Sequence, residues 1–119
     1  MLNVDGIHVT PVTPFDNSLE LDLEGIRENM ALLCESGVSS IVPLGTVGEF
    51  ASLTEEERNL VAECFIDSVN GRKKTIVGVS HTSFAEVVKF AKHAKDCGAD
   101  AVLLVPPLVP PRRFRSTAS

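Results

Sequence analysis

The chain has 119 residues, enough for one small domain, and 44% of them are hydrophobic, an ordinary share for a protein with a buried core. Its formal net charge of −5 argues against a nucleic-acid-binding protein, because binding to the phosphate backbone needs basic patches. No apolar stretch reaches the roughly 18 residues of a membrane span and no secretion signal begins the chain, so we expect a cytoplasmic protein.

The cysteine content points to the same compartment. The chain contains three cysteines, an odd number, and none of them forms a CxxC motif. This pattern is typical of buried thiols in a reducing cytosol. We therefore predict structural free thiols at Cys34, Cys64 and Cys97.

The first part of the chain predicts a strand, a helix and a second strand. Residues 7–10 are β-prone and are followed by prolines, which end the strand. Asp22 is a good N-cap for a helix whose apolar residues recur at helical spacing and whose end is marked by Gly37. The apolar residues 39–44 form the second predicted strand.

A second helix and a third strand follow. Thr54 and Glu57 form a predicted capping box, in which each side chain accepts a hydrogen bond from the other residue's backbone N–H. Three consecutive glutamates also favour the positive end of the helix dipole. Gly71 ends this helix, and residues 75–80, with the sequence TIVGVS, predict the strand.

The last two predicted elements repeat the pattern. Ser83 and Glu86 predict a second capping box, and Gly98 ends the helix that they begin. The predicted buried stripe of this helix consists of Phe84, Val87, Ala91 and Ala94. Residues 101–105 form the fourth strand.

The resulting order is βαβαβαβ, which predicts an α/β fold with parallel strands. Strands 2 to 4 are continuous apolar runs rather than alternating ones, as expected for a parallel sheet that is covered on both faces. The strand ends recur about every 30 residues, the length of one βα unit. These lengths do not distinguish an open sheet from part of a barrel.

The turn GTVGE, residues 45–49, follows the second strand and is the strongest candidate site. Ligands of α/β proteins gather where parallel strands end. Gly45 and Gly48 allow close backbone approach, the turn's N–H groups can hold an anion, and the hydroxyl of Thr46 can donate or relay a proton. Neither GxxxxGK[ST] nor GxGxxG occurs, which excludes the common nucleotide motifs. By itself the pattern is equally compatible with a plain tight turn.

Three segments together extend this interpretation. They are TPVTPF (residues 10–15), GVSSIVPLGTVGEFASLTEEER (residues 37–58) and GADAVLLVPP (residues 98–107). In this order and spacing the chain resembles the dihydrodipicolinate synthase and N-acetylneuraminate lyase family. The resemblance implies that residues 1–107 are a partial (β/α)₈ TIM barrel with its first four strands and three helices. Residues 108–119 diverge and are predicted to be a disordered tail.

The same resemblance implies a site for the carboxylate of a 2-oxo acid. The family consists of Schiff-base-forming lyases and aldolases that act on pyruvate or related 2-oxo acids, and its turn usually contains two hydroxyl residues. Thr46 matches the first, which implies both a substrate-binding and a catalytic proton-relay role. Val47 matches the second, so its N–H could still bind while the hydroxyl is absent. Thr10, at the end of the first strand, is predicted to line the pocket floor.

The groups that carry the family's covalent chemistry have no match here. The resemblance implies a Schiff-base lysine from strand 6 and a proton-transfer tyrosine from strand 5, but the predicted elements end at strand 4 and the chain has no tyrosine. The five lysines lie before strand 3 or on the third helix. The family's PPYYN is replaced by PPLVPP, which motivates the hypothesis of a truncated or frame-shifted sequence. We expect the isolated chain to be catalytically incompetent, although the family's reactions are those of carbon–oxygen or carbon–carbon lyases.

Other polar residues give weaker signals. His81 follows the third strand and is expected to be structural or solvent-facing. His8 and His93 have no carboxylate at a suitable spacing in sequence, so we expect neither a metal site nor a cofactor. The hydroxyl residues Ser80, Thr82 and Ser83 are interpreted as cap and turn residues.

Three functions remain open from the sequence. The first is a fragment of a pyruvate-dependent lyase, most simply dihydrodipicolinate synthase-like and thus of lysine biosynthesis, with N-acetylneuraminate lyase or a 2-keto-3-deoxy sugar acid aldolase or dehydratase as alternatives. The second is a non-catalytic module that binds small 2-oxo acids. The third is a module that pairs with another barrel half through its open sheet edges, which also predicts a homo-oligomer or an aggregating half barrel.

Overall fold

Strands and helices alternate through the described part of the chain. The computed structural model describes residues 5–45 and 52–105. In chain order the elements are β1 (His8–Val9), α1 (Leu23–Cys34), β2 (Ser40–Ile41), α2 (Glu55–Val69), β3 (Lys74–Gly78), α3 (Phe84–Cys97) and β4 (Ala101–Leu103). The predicted βαβαβαβ order is confirmed. None of the helices within these residues combines the length and apolarity needed to cross a membrane.

The four strands form one parallel sheet in sequence order, β1-β2-β3-β4. His8 pairs with Ser40, and Ile76 pairs with Ala101, so each strand lies beside the next one in the chain. A helix connects each strand to the next. Because all strands run in the same direction, their carboxyl ends meet at one edge of the sheet.

Local sequence signals define the starts of two helices as predicted. The Asp22 carboxylate accepts a hydrogen bond of 2.9 Å from the Gly25 N–H at the start of α1. At the start of α2, Thr54 and Glu57 form the complete capping box, with hydrogen bonds of 2.9 and 3.1 Å. These bonds satisfy backbone N–H groups that have no partner within the helix.

The capping box predicted for α3 is absent. Ser83 is the N-cap, but its side chain makes no capping hydrogen bond. Its backbone N–H donates instead to Nδ1 of His81 at 2.8 Å, and Glu86 pairs with Lys89 at 3.4 Å. The competing histidine thus occupies the N–H group that the glutamate of a capping box would bind.

Two predicted helix ends also shift by one or more residues. The C-cap of α1 is Glu35 rather than Gly37. The C-cap of α2 is Asn70 rather than Gly71, and Asn70 adopts the left-handed conformation with φ of 49°. Asparagine tolerates this conformation better than most residues because its short side chain can bond locally. The third end, at Gly98 with φ of 103°, is as predicted.

The hydrophobic core lies between the helices and the sheet. Its largest fully buried side chains include Phe65, Ile26, Met30, Ile41, Val61, Val69, Val77 and Val79. On α3, Val87 and Ala94 are buried as predicted, but Phe84 is 77% exposed. Phe90 is buried instead, and its ring packs against Arg58 of α2, a contact that helical spacing alone does not show.

Candidate functional site

The carboxyl ends of the four strands lie at one edge of the sheet, and Thr10 is the one predicted site residue that the structure describes there. We call this edge the strand-end rim and define it by Thr10, Gly45, Ser80, His81 and Val105, which follow the four strands in turn. Thr10 and Gly45 are 35 positions apart, as are Gly45 and Ser80, and Val105 follows Ser80 by 25 positions. The parallel sheet brings these strand ends together. Parallel α/β proteins bind ligands at this edge.

Thr10 lies beside the first residue of the glycine-rich turn. A Cβ atom built on Gly45 would stand 3.5 Å from Cγ2 of Thr10, which is ordinary van der Waals contact. Thr10 is exposed and Gly45 is buried. The end of β1 therefore lies close to Gly45, the first residue of the turn, and the pocket-lining role of Thr10 stays a prediction. Thr46 and Val47 lie outside the described residues, and their roles stay predictions.

A very close backbone approach fixes the end of β2 against β3. Gly78 donates its N–H to the carbonyl oxygen of Pro43 at 2.9 Å. A Cβ atom built on Gly78 would come within 2.2 Å of the carbonyl oxygen of Leu44, so only glycine fits there. Leu44 itself has a φ of 64°, an uncommon conformation for a residue with a branched side chain. A glycine within an apolar strand was the sequence signal for this approach.

Ser80 joins the ends of β3 and β4. Its side chain is buried, and its Oγ accepts a hydrogen bond of 2.8 Å from the Val105 N–H. The sequence had suggested a turn or cap residue at this position. The structure instead gives Ser80 a role in holding two neighbouring strand ends together at the rim.

Arg58 supports the rim from behind. Although it is only 3% exposed, its guanidinium donates to the carbonyl oxygens of Ser80 at 2.7 Å and Gly78 at 3.3 Å. It also lies 3.9 Å from the centre of the Phe90 ring, within the range of a cation–π contact. Burial lowers the pKa of Arg58 to about 10, against the opposing effect of Glu55, so the side chain remains charged at neutral pH.

Sequence reasoning missed Arg58, although a signal was present. Arg58 precedes Val61, Phe65 and Val69 at helical spacing, which places a cation on the buried face of α2. A charged residue in an apolar stripe needs polar partners, because an unsolvated charge is costly to bury. The strand-end carbonyls are those partners.

His81 has the structural role expected for it. Its Nδ1 accepts from the Ser83 N–H, and its ring centre is 6.1 Å from that of Phe90. These contacts fix the imidazole at the start of α3. His8 hydrogen-bonds through Nδ1 to the hydroxyl of Ser40, its partner across the sheet.

The five lysines of the chain are all described, and none lies at the strand-end rim. Lys73 donates to the carbonyl oxygen of Ser36 at 2.9 Å, and Lys74 is the first residue of β3, at the opposite end of the sheet. Lys89, Lys92 and Lys95 are exposed on α3. These positions are the ones expected from the sequence, except that Lys74 lies in β3 rather than in the loop before it.

Comparison with known proteins places this geometry in a family context. A family model described as the dihydrodipicolinate synthetase family matches residues 3–116, which extends past the boundary at residue 107. The chain is 42% identical over 104 residues to the 4-hydroxy-tetrahydrodipicolinate synthase of Methanococcus vannielii, covering 87% of this chain and 36% of that protein. Against the synthase of Methanocaldococcus jannaschii the identity is 42% over 102 residues, with coverage of 86% and 35%. The chain thus spans little more than a third of these relatives.

Solved structures show the same partial correspondence. A dihydrodipicolinate synthase from Aquifex aeolicus matches with a TM-score of 0.80 and 34% identity, over 83% of this chain and 33% of that one. A prophage protein of the dihydrodipicolinic acid synthase family from E. coli K12, solved in complex with pyruvate, matches with a TM-score of 0.82 and 32% identity, over 85% and 34%. These proteins are TIM barrels, so the fold of this chain is part of a (β/α)₈ barrel, as predicted.

Proposed function

Since this chain belongs to the dihydrodipicolinate synthetase family, we propose that it carries the carboxylate-binding part of a Schiff-base-forming lyase that acts on pyruvate or a related 2-oxo acid. The proposed parent is a 4-hydroxy-tetrahydrodipicolinate synthase-like enzyme of lysine biosynthesis, the activity named for the curated relatives. N-acetylneuraminate lyase and 2-keto-3-deoxy sugar acid aldolases or dehydratases are the alternative parents. They would share the carboxylate site and differ in the second substrate.

The closeness of Thr10 to Gly45 at the strand-end rim is the observation that carries this proposal. It supports a pocket whose floor is the end of β1 and which lies beside the turn that begins at Gly45. In this proposal the hydroxyl of Thr46 and the N–H of Val47 donate to the 2-oxo acid carboxylate. Hydrogen bonds to a charged group contribute about 1.5–3 kcal/mol each, which is enough for weak binding of a small anion.

We further propose that the isolated chain binds the 2-oxo acid without forming an imine. Imine formation needs an unprotonated lysine amine beside the 2-oxo carbon. The five lysines lie at the opposite end of the sheet or on the exposed surface of α3, which supports this proposal. The chain also lacks a tyrosine that could transfer protons.

Ligand-observed NMR with pyruvate tests the binding step. We expect saturation transfer to the pyruvate methyl group with the natural chain and a clear loss with Thr46→Val, which removes the hydroxyl but keeps the side-chain shape. Thr82→Val is the matched control, because Thr82 is exposed and lies outside the proposed pocket. Equal signals from the natural chain and Thr46→Val, or no signal from either, would contradict the proposal.

Borohydride reduction in the presence of pyruvate tests the second step separately. We expect the mass of the intact chain to remain unchanged, because no lysine is placed to form the imine. A covalent pyruvyl adduct on a single lysine would show that the chain is chemically competent. That result would overturn the proposed incompetence and leave the binding proposal intact.

A barrel-pairing role is the second candidate, favoured by the open edge at β4. Val102, Leu103 and Leu104 are 45%, 38% and 55% exposed, and β4 ends the sheet within the described residues. Exposed apolar edge strands promote association between chains.

We propose that two copies associate through this edge, and size-exclusion chromatography with light scattering tests it. Val102→Lys should shift the chain towards monomer, whereas Leu32→Lys, on an exposed position of α1, should not. A natural chain that is monomeric at high concentration would contradict this role.

A further inference from the structure

A cluster of three metal-ligand side chains lies away from the strand-end rim, between two helices. It consists of Glu63 on α2 and His93 and Cys97 on α3, and we call it the interhelix cluster. Nε2 of His93 lies 2.8 Å from Oε2 of Glu63 and 3.6 Å from Sγ of Cys97. All three ligand atoms lie within 4.8 Å of one another. His93 and Cys97 are four residues apart and thus share one face of α3.

We propose that the interhelix cluster binds a single Zn²⁺ ion. A carboxylate oxygen, an imidazole nitrogen and a thiolate sulfur form a donor set that suits Zn²⁺. Mg²⁺ and Ca²⁺ prefer oxygen donors, so the combination of sulfur and nitrogen disfavours them. Sequence spacing could not indicate this site, because the carboxylate comes from a different helix, 30 residues before His93.

One of the two distances from Nε2 already fits a tetrahedral ion, and the ion requires Glu63 to move. With Zn–N of about 2.0 Å, Zn–S of about 2.3 Å and tetrahedral angles, Nε2 and Sγ are expected about 3.5 Å apart. Their separation of 3.6 Å already matches. Nε2 and Oε2 now hydrogen-bond at 2.8 Å and would have to separate to about 3.4 Å around the ion. Glu63 is an exposed side chain, so a change of rotamer can supply this movement.

The proton balance of binding follows from the hydrogen bond. A carboxylate only accepts, so Nε2 donates to Glu63 in the metal-free chain. On binding, Nε2 must present its lone pair, so the ring proton moves from Nε2 to Nδ1 and the imidazole releases none. Cys97 must lose its thiol proton to bind as a thiolate. Binding therefore releases one proton, from the thiol, and is expected to strengthen as the pH rises.

An ion can reach the cluster from solvent. Glu63 and Cys97 line an open groove of about 720 Å³ on the outer side of the helices. Asp67 lines the same groove, and the charge of Asp96 also acts on Cys97, so both favour a cation. Arg27 also lines the groove, and its positive charge opposes the binding of a cation. Three protein ligands leave a fourth position that water from the groove can occupy.

Titration of the reduced chain with Co²⁺, followed by displacement with Zn²⁺, tests the proposal. We expect one Co²⁺ per chain and a sulfur-to-cobalt charge-transfer band that disappears when Zn²⁺ is added. Cys97→Ser should abolish the band, and His93→Gln should weaken Zn²⁺ binding by at least about tenfold, the loss caused by removal of even an outer-shell partner. Cys34→Ser is the matched control, because Cys34 lies on α1 outside the cluster.

Two results would overturn the proposal. One is the absence of a charge-transfer band in the natural chain, and the other is an equal loss of binding in Cys34→Ser and Cys97→Ser. Circular dichroism of each metal-free variant checks that it remains folded. A further test needs no variant: Zn²⁺ added to the natural chain should protect Cys97 from alkylation. A Glu63–His93 hydrogen bond without a bound metal would give no such protection.

Discussion

The guanidinium of Arg58 donates a hydrogen bond of 2.7 Å to the carbonyl oxygen of Ser80, joining α2 to the end of β3. The same group donates to Gly78 and lies over the ring of Phe90. Ser80 in turn accepts from Val105 at the end of β4. One buried cation thus connects two helices and two strand ends behind the proposed binding edge.

Arg58→Ala should destabilise the chain substantially. The substitution removes both charge-assisted hydrogen bonds and the contact with Phe90, and we expect a loss of about 2–3 kcal/mol in the free energy of unfolding. Urea denaturation followed by circular dichroism measures it. Arg27→Ala is the control, because Arg27 is exposed and makes a surface ion pair with Glu24, for which about 0–1 kcal/mol is expected. Similar losses in the two variants would contradict the bridging role.

Thr54→Ala and Ser83→Ala should differ although both remove a hydroxyl from an N-cap. Thr54 accepts a hydrogen bond from the Glu57 N–H, and we expect its removal to cost about 1 kcal/mol. The Ser83 side chain makes no capping bond, so its removal should change the free energy of unfolding by less than about 0.5 kcal/mol. Urea midpoints of the two variants measure the difference. An equal effect would show that Ser83 caps α3 in solution.

Gly78→Ala should be strongly destabilising. The new methyl group would meet the carbonyl oxygen of Leu44, a backbone atom that can move only if β2 moves, and we expect a loss of at least about 1–3 kcal/mol. Gly37→Ala is the control, because a Cβ atom there meets nothing within 4 Å. That change should be neutral or stabilising by up to about 1 kcal/mol. Thermal denaturation of both variants provides the comparison, and a neutral Gly78→Ala would refute the close approach.

The ionisation of Cys64 should be shifted to higher pH than that of an ordinary thiol. Burial is the main cause that raises its pKa above the ordinary value of 9.0. In a variant that keeps Cys64 as its only cysteine, alkylation by iodoacetamide should therefore have a pH midpoint above that of the same chain in urea. A midpoint that coincides in the folded and unfolded chains would contradict the burial of this thiol.

The same shift implies a pH dependence of stability. The folded chain holds the Cys64 proton more tightly than the unfolded chain, so the unfolded chain ionises first. This contribution to stability is present below pH 9.0 and is lost as the pH rises above it. Cys64→Ala should flatten that part of the stability–pH curve, which denaturation at several alkaline pH values would reveal.

Local interactions explain how much of the fold could be predicted. The Thr54–Glu57 box and the Asp22 cap join residues three positions apart, so their sequence spacing specifies them directly. The capping box predicted at the start of α3 is absent because His81 competes with Glu86 for the Ser83 N–H. A sequence pattern does not show which of two acceptors will bind one donor. Helical spacing likewise could not choose between Phe84 and Phe90, and it is Phe90 that packs against Arg58 of another helix.

The candidate site was predicted only in part for a similar reason. The edge that carries Thr10 and Gly45 follows from parallel strands, whose carboxyl ends must meet. The support of that edge by Arg58 joins residues 22 positions apart, and the Glu63–His93 contact joins residues 30 positions apart. The apolar stripe of α2 signals the burial of Arg58, but no sequence pattern identifies the partners of Arg58 or of Glu63, because helices of this length can pack in several registers.

The alternation of strands and helices, the parallel sheet and the family could be inferred before any coordinates, because each depends on short-range periodicity or on contiguous motifs. The pairs of side chains and backbone groups that meet became known from the packed fold: Arg58 with the carbonyls of Gly78 and Ser80, Gly78 with Leu44, and Glu63 with His93 and Cys97. Those contacts depend on how neighbouring elements are rotated and shifted against one another. The packing of the whole core sets that arrangement, since no single segment contains enough buried surface to fix it.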